Sequence, residues 1–378
     1  MPKGALTSRQ EIEDLTRGTD FLSASGGGPT TESRAFLQEN LDNGRTIGWI
    51  DLADLPDDAR IAATFFTGSV APTRYARGDR EKELGISTTV AHPPLAAVQE
   101  LEKRLGIVLD ALIPIEIGGN NTGQCLATAA ALGKVVPDAD LAGRAIPEAT
   151  CTAAHLAGFA MAPFACATYY GDRVFVEGCA NNLVAERMGK HVAIASFGSA
   201  GCAAFVMTGA DAKRIAIPGT LTRSLAIGRT IRQSQEKRRD PVHDLVTSFE
   251  DMWVLFRGRI TRRHWENKDG YMWGEHELAG DGPFAGRRLR LWFKNENHLT
   301  WLDDQPFVTG PDIIEIVDPR TGEPLVNSFL AEGQEVAVVG IKRCAQFDTP
   351  AGIDALGPTH WGFDLPYRPI EDLVPRLG

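Results

Sequence analysis

Short motifs that mark metal, nucleotide or serine-hydrolase chemistry are missing from this sequence. Its six cysteines form no C-x-x-C pair, and its eight histidines show neither H-x-x-x-H nor H-x-H spacing, so a zinc site made from one short segment is not expected. The three glycines after Ser25 lack both the lysine of a P-loop and the spacing of a G-x-G-x-x-G turn, and no G-x-S-x-G segment occurs. A ligand site must therefore be assembled from separate parts of the chain.

Long apolar segments and clusters of positive charge are also scarce. The most apolar stretch, residues 153–167, contains His155 and Pro163 and is too short to span a bilayer. The net charge is −10, and the basic runs at 237–239 and 262–264 are brief, which disfavours a nucleic-acid surface. We therefore expect a cytoplasmic protein with reduced cysteines that binds neither membranes nor nucleic acids.

The 378 residues are enough for two domains of different character. In the first part, apolar spacing predicts a helix over 93–105, and a nearly continuous apolar strand over 108–117 precedes a helix from residue 121 or 122 to 132. A further helix is predicted over 220–235. From about residue 250, strand-like runs follow one another with turn residues between them, at 253–260, 271–278, 288–293, 312–317 and 335–341. The fold class predicted is α/β plus β, the second part being an antiparallel β-domain.

Two glycine-rich turns are the strongest candidates for a ligand site. Gly118, Gly119 and Asn120 follow the predicted buried strand, at the place where open α/β sheets bind ligands. The glycines let a ligand approach the backbone, and Glu116 adds a carboxylate beside them. The other turn comprises Gly26, Gly27 and Gly28. For that turn, ligand binding and a plain bend between two helices remain equally open.

A third candidate segment, residues 137–148, holds three carboxylates and one arginine, which are Asp138, Asp140, Glu148 and Arg144. Such a loop could supply general acids and bases and a clamp for a substrate carboxylate. A structural network of ion pairs is the alternative. His155, in the apolar run that follows, is either a site member or a hydrogen-bonded core histidine.

Several segments taken together resemble one family. They lie at 114–120, 138–140, 143–145, 147–148, 207–210, 217–221, 318–324, 357–358 and 363–364. In these segments the sequence is similar to the S-methyl thiohydantoin desulfurase family, and the likeness extends over nearly the whole chain. The turn at 25–29 departs from the family pattern, which has a longer glycine run there.

The resemblance implies a three-layer α/β/α domain with an inserted antiparallel domain that resembles a β-barrel. The first domain would comprise residues 1–170 and the tail 345–378. The second, mainly β, would comprise residues 171–344 and include the helix at 220–235.

The resemblance also implies an activity, either as a desulfurase or as a related hydrolase of hydantoin-like rings. The desulfurase reaction replaces the sulfur substituent on C2 of an S-methylated thiohydantoin with oxygen and releases methanethiol. Glu116 or Asp140 would be the base, and Glu148 or His155 the acid. The N–H groups of Gly118, Gly119 and Gly27 would hold the ring oxygen, and Arg144 would pair with a substrate carboxylate.

Two alternatives stay open at this point. A metal-assisted cyclic-amide hydrolase would use His155 with Asp138, Asp140 or Glu148 as ligands. A non-catalytic partner of a hydantoinase-type enzyme would keep the glycine turns without needing the carboxylates, because family members tend to accompany such enzymes. No cofactor is expected unless a divalent metal is present, and the partners foreseen are a small heterocyclic substrate, a further copy of this chain or a hydantoinase-type enzyme.

Overall fold

The structure is a computed structural model that describes residues 3–71 and 77–375. Its α-helices are α1 (Arg9–Phe21), α2 (Thr31–Asp42), α3 (Arg77–Leu84), α4 (Pro93–Leu105), α5 (Gly119–Leu132), α6 (Ala153–Leu156), α7 (Asn182–Ala195), α8 (Gly209–Ile215), α9 (Thr220–Glu236), α10 (Pro241–Ser248), α11 (Pro350–Leu356) and α12 (Ile370–Leu373). Its strands are β1 (Gly4–Leu6), β2 (Ile47–Trp49), β3 (Arg60–Gly68), β4 (Ala111–Pro114), β5 (Ala139–Asp140), β6 (Phe164–Ala167), β7 (Arg173–Val176), β8 (Ser199–Thr208), β9 (Ile217–Pro218), β10 (Met252–Lys268), β11 (Tyr271–Gly280), β12 (Arg288–Lys294), β13 (Glu296–Leu302), β14 (Gln305–Thr309), β15 (Ile313–Val317) and β16 (Glu335–Ile341).

A curled, half-barrel sheet of seven antiparallel strands occupies the second part of the chain, in the order β14-β13-β12-β11-β10-β16-β15. Alternate residues of its strands, such as Phe256, Met272 and Val338, point into one buried apolar core. The predicted antiparallel β region is therefore confirmed. Two of its strands, β13 and β14, had no counterpart among the predicted runs.

A five-stranded sheet in the order β4-β3-β8-β6-β7 carries the candidate site. β3 and β4 are parallel, whereas the other pairs are antiparallel. Both faces of this sheet are buried, since Ala62 of β3 belongs to one apolar core and its neighbours Ile61 and Ala63 belong to another. Because β3 and β4 run in the same direction, their carboxyl ends lie at one edge, and the candidate site begins there.

Local signals place several elements as the sequence predicts. α4 has the predicted bounds and ends at Gly106, whose φ of 64° is a left-handed C-cap. α5 begins at Gly119, slightly earlier than predicted. The strand predicted over 108–117 is shorter than expected, because β4 stops at Pro114, which has no N–H with which to extend the pairing. β4 also stands at the end of the strand order and not in the middle of the sheet.

The three-layer arrangement and the domain boundaries stay predictions. β7 and β8 follow residue 170 in the chain and pair within the five-stranded sheet. The two small sheets, β1-β2 and β5-β9, are antiparallel. Over the described ranges, no helix combines the length and the apolar character needed to cross a membrane.

Candidate active site

A cavity of about 540 Å³ lies between the carboxyl ends of β3 and β4, the two glycine-rich turns and the turn that joins β12 to β13. This volume is in the range usual for small-molecule sites. The charged and aromatic residues that line it in the described part of the chain are Glu32, Phe66, Glu116, Tyr169, Lys190, Glu296 and Phe329. The cavity therefore combines several carboxyl groups with an ammonium and apolar walls.

The two glycine turns predicted as a site pack against each other. The N–H of Asn120 donates to the carbonyl of Gly27 at 3.4 Å, and a Cβ at Gly27 would lie 2.8 Å from the nitrogen of Gly119. A Cβ at Gly119 would lie 1.7 Å from Oδ1 of Asp20. A side chain at Gly27 would collide with backbone, and one at Gly119 would displace the Asp20 carboxyl. Residues 26–28 and Asn120 line the cavity, whereas the predicted Gly118 and Gly119 do not.

The first turn is also fastened to the curled sheet. Ser25, with a φ of 58°, donates its backbone N–H and its hydroxyl to the buried carboxyl of Glu315 at 2.7 and 2.9 Å. A Cβ at Gly26 would lie 2.5 Å from the nitrogen of Glu296. These contacts hold the turn between the two larger sheets. The bend between α1 and α2 therefore also forms part of the cavity wall.

Glu116 is a buried carboxyl on the cavity wall. Its Oε2 accepts from the N–H of Ile146 at 2.7 Å, and its Oε1 accepts from Nδ2 of Asn121 at 2.6 Å. Burial raises the pKa of Glu116 to about 7, although these two hydrogen bonds and the charge of Lys190 oppose the rise. The carboxyl is thus divided between its two protonation states near neutral pH.

Glu296 is a second buried carboxyl on the same wall, and sequence reasoning missed it. Burial, together with the negative charge of Glu116, raises the pKa of Glu296 well above its ordinary value. Its Oε2 has no hydrogen-bond partner within the described residues. The residue follows Asn295, whose φ of 56° makes the tight turn into β13. The one sequence signal that could have revealed Glu296 is the presence of polar residues in β13, which is otherwise apolar.

Lys190 of α7 brings the positive charge. Its Nζ donates to the carbonyl of Gly68 at 2.8 Å, lies 3.7 Å from Oε1 of Glu186 and stands 4.3 Å from the centre of the Tyr271 ring. Its charge lowers the pKa of both Glu116 and Glu296 against the effect of burial. The sequence offered no sign of this lysine, because α7 lies far along the chain from both carboxyls.

Three other predicted residues lie outside the cavity lining and serve the surrounding structure. Asp138 accepts from the N–H groups of Leu221 and Thr222, both at 3.0 Å, and so caps α9. Asp140 accepts from the N–H groups that follow it at positions 142 and 143, and burial raises its pKa to about 7. Arg144 is buried and donates to the carbonyls of residues 145, 297 and 312.

Glu148 and His155 also lie outside the cavity lining. Nδ1 of His155 is 2.9 Å from Nδ2 of Asn182, and burial lowers its pKa. Glu148 pairs with the ammonium of Lys294 and lies 3.3 Å from Nε2 of His360. Burial would raise the pKa of Glu148, but these two partners outweigh it and lower that pKa to about 2.

A possible metal-binding group differs from the ligand set expected. Glu148, Cys151 and His360 each bring one ligand atom within 4.8 Å of the others, and this donor set suits zinc. Two observations oppose binding. Lys294 already neutralises the carboxylate, and burial raises the pKa of Cys151 well above its ordinary value, whereas a metal binds the thiolate. The group does not fit a divalent ion unless Lys294 moves away, and no cofactor is established.

Comparisons with known proteins concern both family and fold. The family model described as S-Me-THD-like, N-terminal domain, matches residues 10–178, and the S-Me-THD-like, C-terminal domain model matches residues 180–370. The crystal structure of a protein from Chromobacterium violaceum has a TM-score of 0.79 and 22% sequence identity over 97% of this chain and 100% of that chain, a likeness that concerns the fold. No curated protein matches the chain. Since the two family models together span nearly the whole sequence, as the resemblance predicts, the chain belongs to the S-Me-THD-like family.

Proposed function

We propose that the cavity binds an S-methylated thiohydantoin, or a related hydantoin-like ring, and hydrolyses the bond between C2 and sulfur. The observation that carries this proposal is the pair of buried carboxyls, Glu116 and Glu296, that line one cavity, where the negative charge of Glu116 raises the pKa of Glu296. Two carboxyls that share a buried site do not readily ionise together, so one can act as base while the other keeps its proton and acts as acid. The family match supports a thiohydantoin-related substrate.

Glu116 acts as the base in this proposal. With a pKa of about 7, a substantial fraction is ionised at neutral pH and can take a proton from water. The water oxygen then forms a bond to C2, and the electron pair of the C2–N double bond moves to the ring nitrogen. Glu296, whose pKa burial and the charge of Glu116 raise, keeps its proton while Glu116 is ionised and donates that proton to the ring nitrogen.

The second half of the reaction regenerates both carboxyls. The new hydroxyl on C2 returns a proton to Glu296 as the carbonyl forms, and the C–S bond breaks with its electron pair on sulfur. The departing thiolate takes the proton that Glu116 had accepted. One water is consumed, and one hydantoin and one methanethiol are released. Lys190 stabilises the negative charge that moves between the two carboxyls.

The test is release of methanethiol from an S-methyl thiohydantoin, followed with a thiol reagent. We expect Glu116→Gln and Glu296→Gln each to lower kcat by about 10²- to 10⁴-fold, while Glu177→Gln, at an exposed position, leaves it unchanged. Circular dichroism checks that the variants are folded. If both cavity variants fold and release methanethiol at the wild-type rate, the assignment is wrong.

Asp140 is the competing candidate for the base, because its pKa is also about 7. Its Oδ2 accepts two backbone hydrogen bonds, at 2.8 and 2.6 Å, and it lies outside the cavity lining. We therefore expect Asp140→Asn to lower stability while keeping turnover. Loss of turnover in a stable Asp140→Asn protein would transfer the role of base to Asp140.

A metal-assisted hydrolase is the alternative function, and it would require Lys294 to leave Glu148 so that Glu148, Cys151 and His360 could hold the ion. Elemental analysis of the purified protein distinguishes it. We expect less than stoichiometric zinc, with no difference between wild type and Cys151→Ser. One zinc per chain that disappears in Cys151→Ser would favour the metal-assisted reaction. Association with a hydantoinase-type enzyme is a further proposal from the family resemblance, and co-purification of the two proteins tests it.

A further inference from the structure

The cavity is larger than the ring on which the proposed reaction takes place. At ~30 Å³ per water molecule, the 540 Å³ cavity corresponds to the space of about 18 waters. A five-membered ring with its oxygen and methylthio group occupies only a part of that space. The cavity therefore has room for a substantial group in addition to the ring.

The character of the walls indicates what that group is. Three of the charged side chains in the lining are buried, since Glu116, Lys190 and Glu296 are 4%, 5% and 2% exposed. Another part of the lining is aromatic, since Phe66 stacks on Tyr169 with ring centres 5.7 Å apart and Phe329 is 67% exposed. The exposed carboxylate of Glu32 borders this part and accepts a hydrogen bond from the Tyr169 hydroxyl. The reacting ring and the additional group would thus be bound by different zones of one cavity.

Phe329 is an unusual feature, because a large aromatic side chain is costly to expose to water. Its turn is firmly anchored. Asn327, two residues earlier, donates its N–H to the carbonyl of Ser25 at 2.9 Å, and its Nδ2 donates to the carbonyl of Asn295 at 3.0 Å. These two partners belong to the glycine turn and the β12–β13 turn that form the cavity, so Phe329 is presented at the cavity entrance by the site itself.

We propose that the substrate carries a bulky apolar group on C5 of its ring, aromatic or branched aliphatic, and that Phe66 and Phe329 bind this group. Such rings are those that hydrophobic amino acids form. The proposal rests on the function proposed above for the identity of the ring. It does not rest on the order of the chemical steps, because it concerns binding.

The test measures affinity and turnover separately. Isothermal titration calorimetry with 5-benzylhydantoin, 5-methylhydantoin and 5-(2-carboxyethyl)hydantoin measures binding of the product class without any reaction. We expect the benzyl compound to bind at least about tenfold more tightly than the methyl compound, because the aromatic zone buries the added apolar surface. We expect the same order in kcat/KM for methanethiol release from the matching S-methyl thiohydantoins.

Two variants locate the effect in the cavity. Phe329→Ala is expected to reduce the preference for benzyl over methyl to below about threefold and to leave affinity for the methyl compound nearly unchanged. Val108→Ala removes an apolar side chain that is 70% exposed but lies outside the cavity lining, and it should keep the full preference.

The outcomes separate the two proposals. Equal affinities for the benzyl and methyl compounds, tightest binding of the carboxyethyl compound, an unchanged preference in Phe329→Ala, or no binding of any hydantoin would each overturn the inference, even if methanethiol is released. Preferential binding of the benzyl compound with no methanethiol release from any substrate would support the inference and overturn the proposed function.

Discussion

The buried carboxyl of Glu116 predicts a specific dependence of stability on pH. In the folded protein its pKa is about 7, whereas an ordinary glutamate has a pKa of 4.5. Between these values the unfolded chain has lost the proton and the folded protein keeps it. The folded state therefore binds more protons, and its stability falls as the pH rises. The contribution is fully present below pH 4.5 and is lost as the pH passes through about 7.

The size of this change in stability follows from the difference between the two pKa values, 4.5 in the unfolded chain and about 7 in the folded protein. Each pH unit between 4.5 and about 7 lowers the free energy of unfolding by about 1.4 kcal/mol, which amounts to about 3 kcal/mol in total. Glu116→Gln has no proton to lose and lacks this decline. It has a separate cost of about 1–3 kcal/mol at every pH, because both carboxyl oxygens accept hydrogen bonds and an amide can accept with only one of its two groups.

The assay is urea unfolding, followed by tryptophan fluorescence, of wild type, Glu116→Gln and the control Glu177→Gln at pH 5 and pH 8. We expect Glu116→Gln to be less stable than wild type at pH 5 and to recover about 2.5 kcal/mol relative to wild type by pH 8. Glu177→Gln should follow wild type, because its side chain is exposed. Parallel pH dependences for wild type and Glu116→Gln would refute the reasoning, because they would mean that Glu116 titrates alike in the folded and unfolded states.

Three further variants test the charge of Lys190, the helix cap that Asp138 makes and the ion pair of Glu148. Lys190→Met should move the acid limb of the pH–rate profile for methanethiol release to higher pH, because the Lys190 charge lowers the pKa of Glu116; an unmoved limb would contradict this. Asp138→Ala should lower the free energy of unfolding by about 1–3 kcal/mol, measured in urea, since it removes the cap of α9, and hydantoin affinity should stay the same. Glu148→Gln leaves Lys294 buried without its counter-charge and should cost about 3–5 kcal/mol in thermal unfolding; a change below about 1 kcal/mol would show that the pair is well hydrated.

α4 was the most predictable helix of the fold, because its signals are local. α4 has an apolar stripe, a proline at its start and a glycine at its end, so its bounds follow from a dozen residues. Strands were less predictable. β8 begins with small residues of low strand propensity, and β13 begins with Glu296, Asn297 and a buried histidine. Their pairing with distant strands overrides these local preferences.

The candidate site was predictable only in part. The sequence indicated Glu116 and both glycine turns as candidates, and the structure brings Glu116, residues 26–28 and Asn120 to one cavity, without Gly118 and Gly119. The sequence did not indicate where the carboxylates of residues 137–148 point. Asp138, for example, accepts a hydrogen bond from the first turn of α9, more than eighty residues away in the chain. Whether the predicted residues act in catalysis stays a proposal that the variants above test.

The sequence by itself determined the bounds of α4, the antiparallel character of the second part and the family, since all three depend on residues near one another or on patterns retained along the chain. Only the tertiary structure decided which carboxyls share a cavity and what their pKa values are. Glu116 and Glu296 are 180 positions apart in the sequence. Their pKa values are raised first of all by burial, and that burial exists only once segments from the glycine turns, α7 and both larger sheets have packed around them.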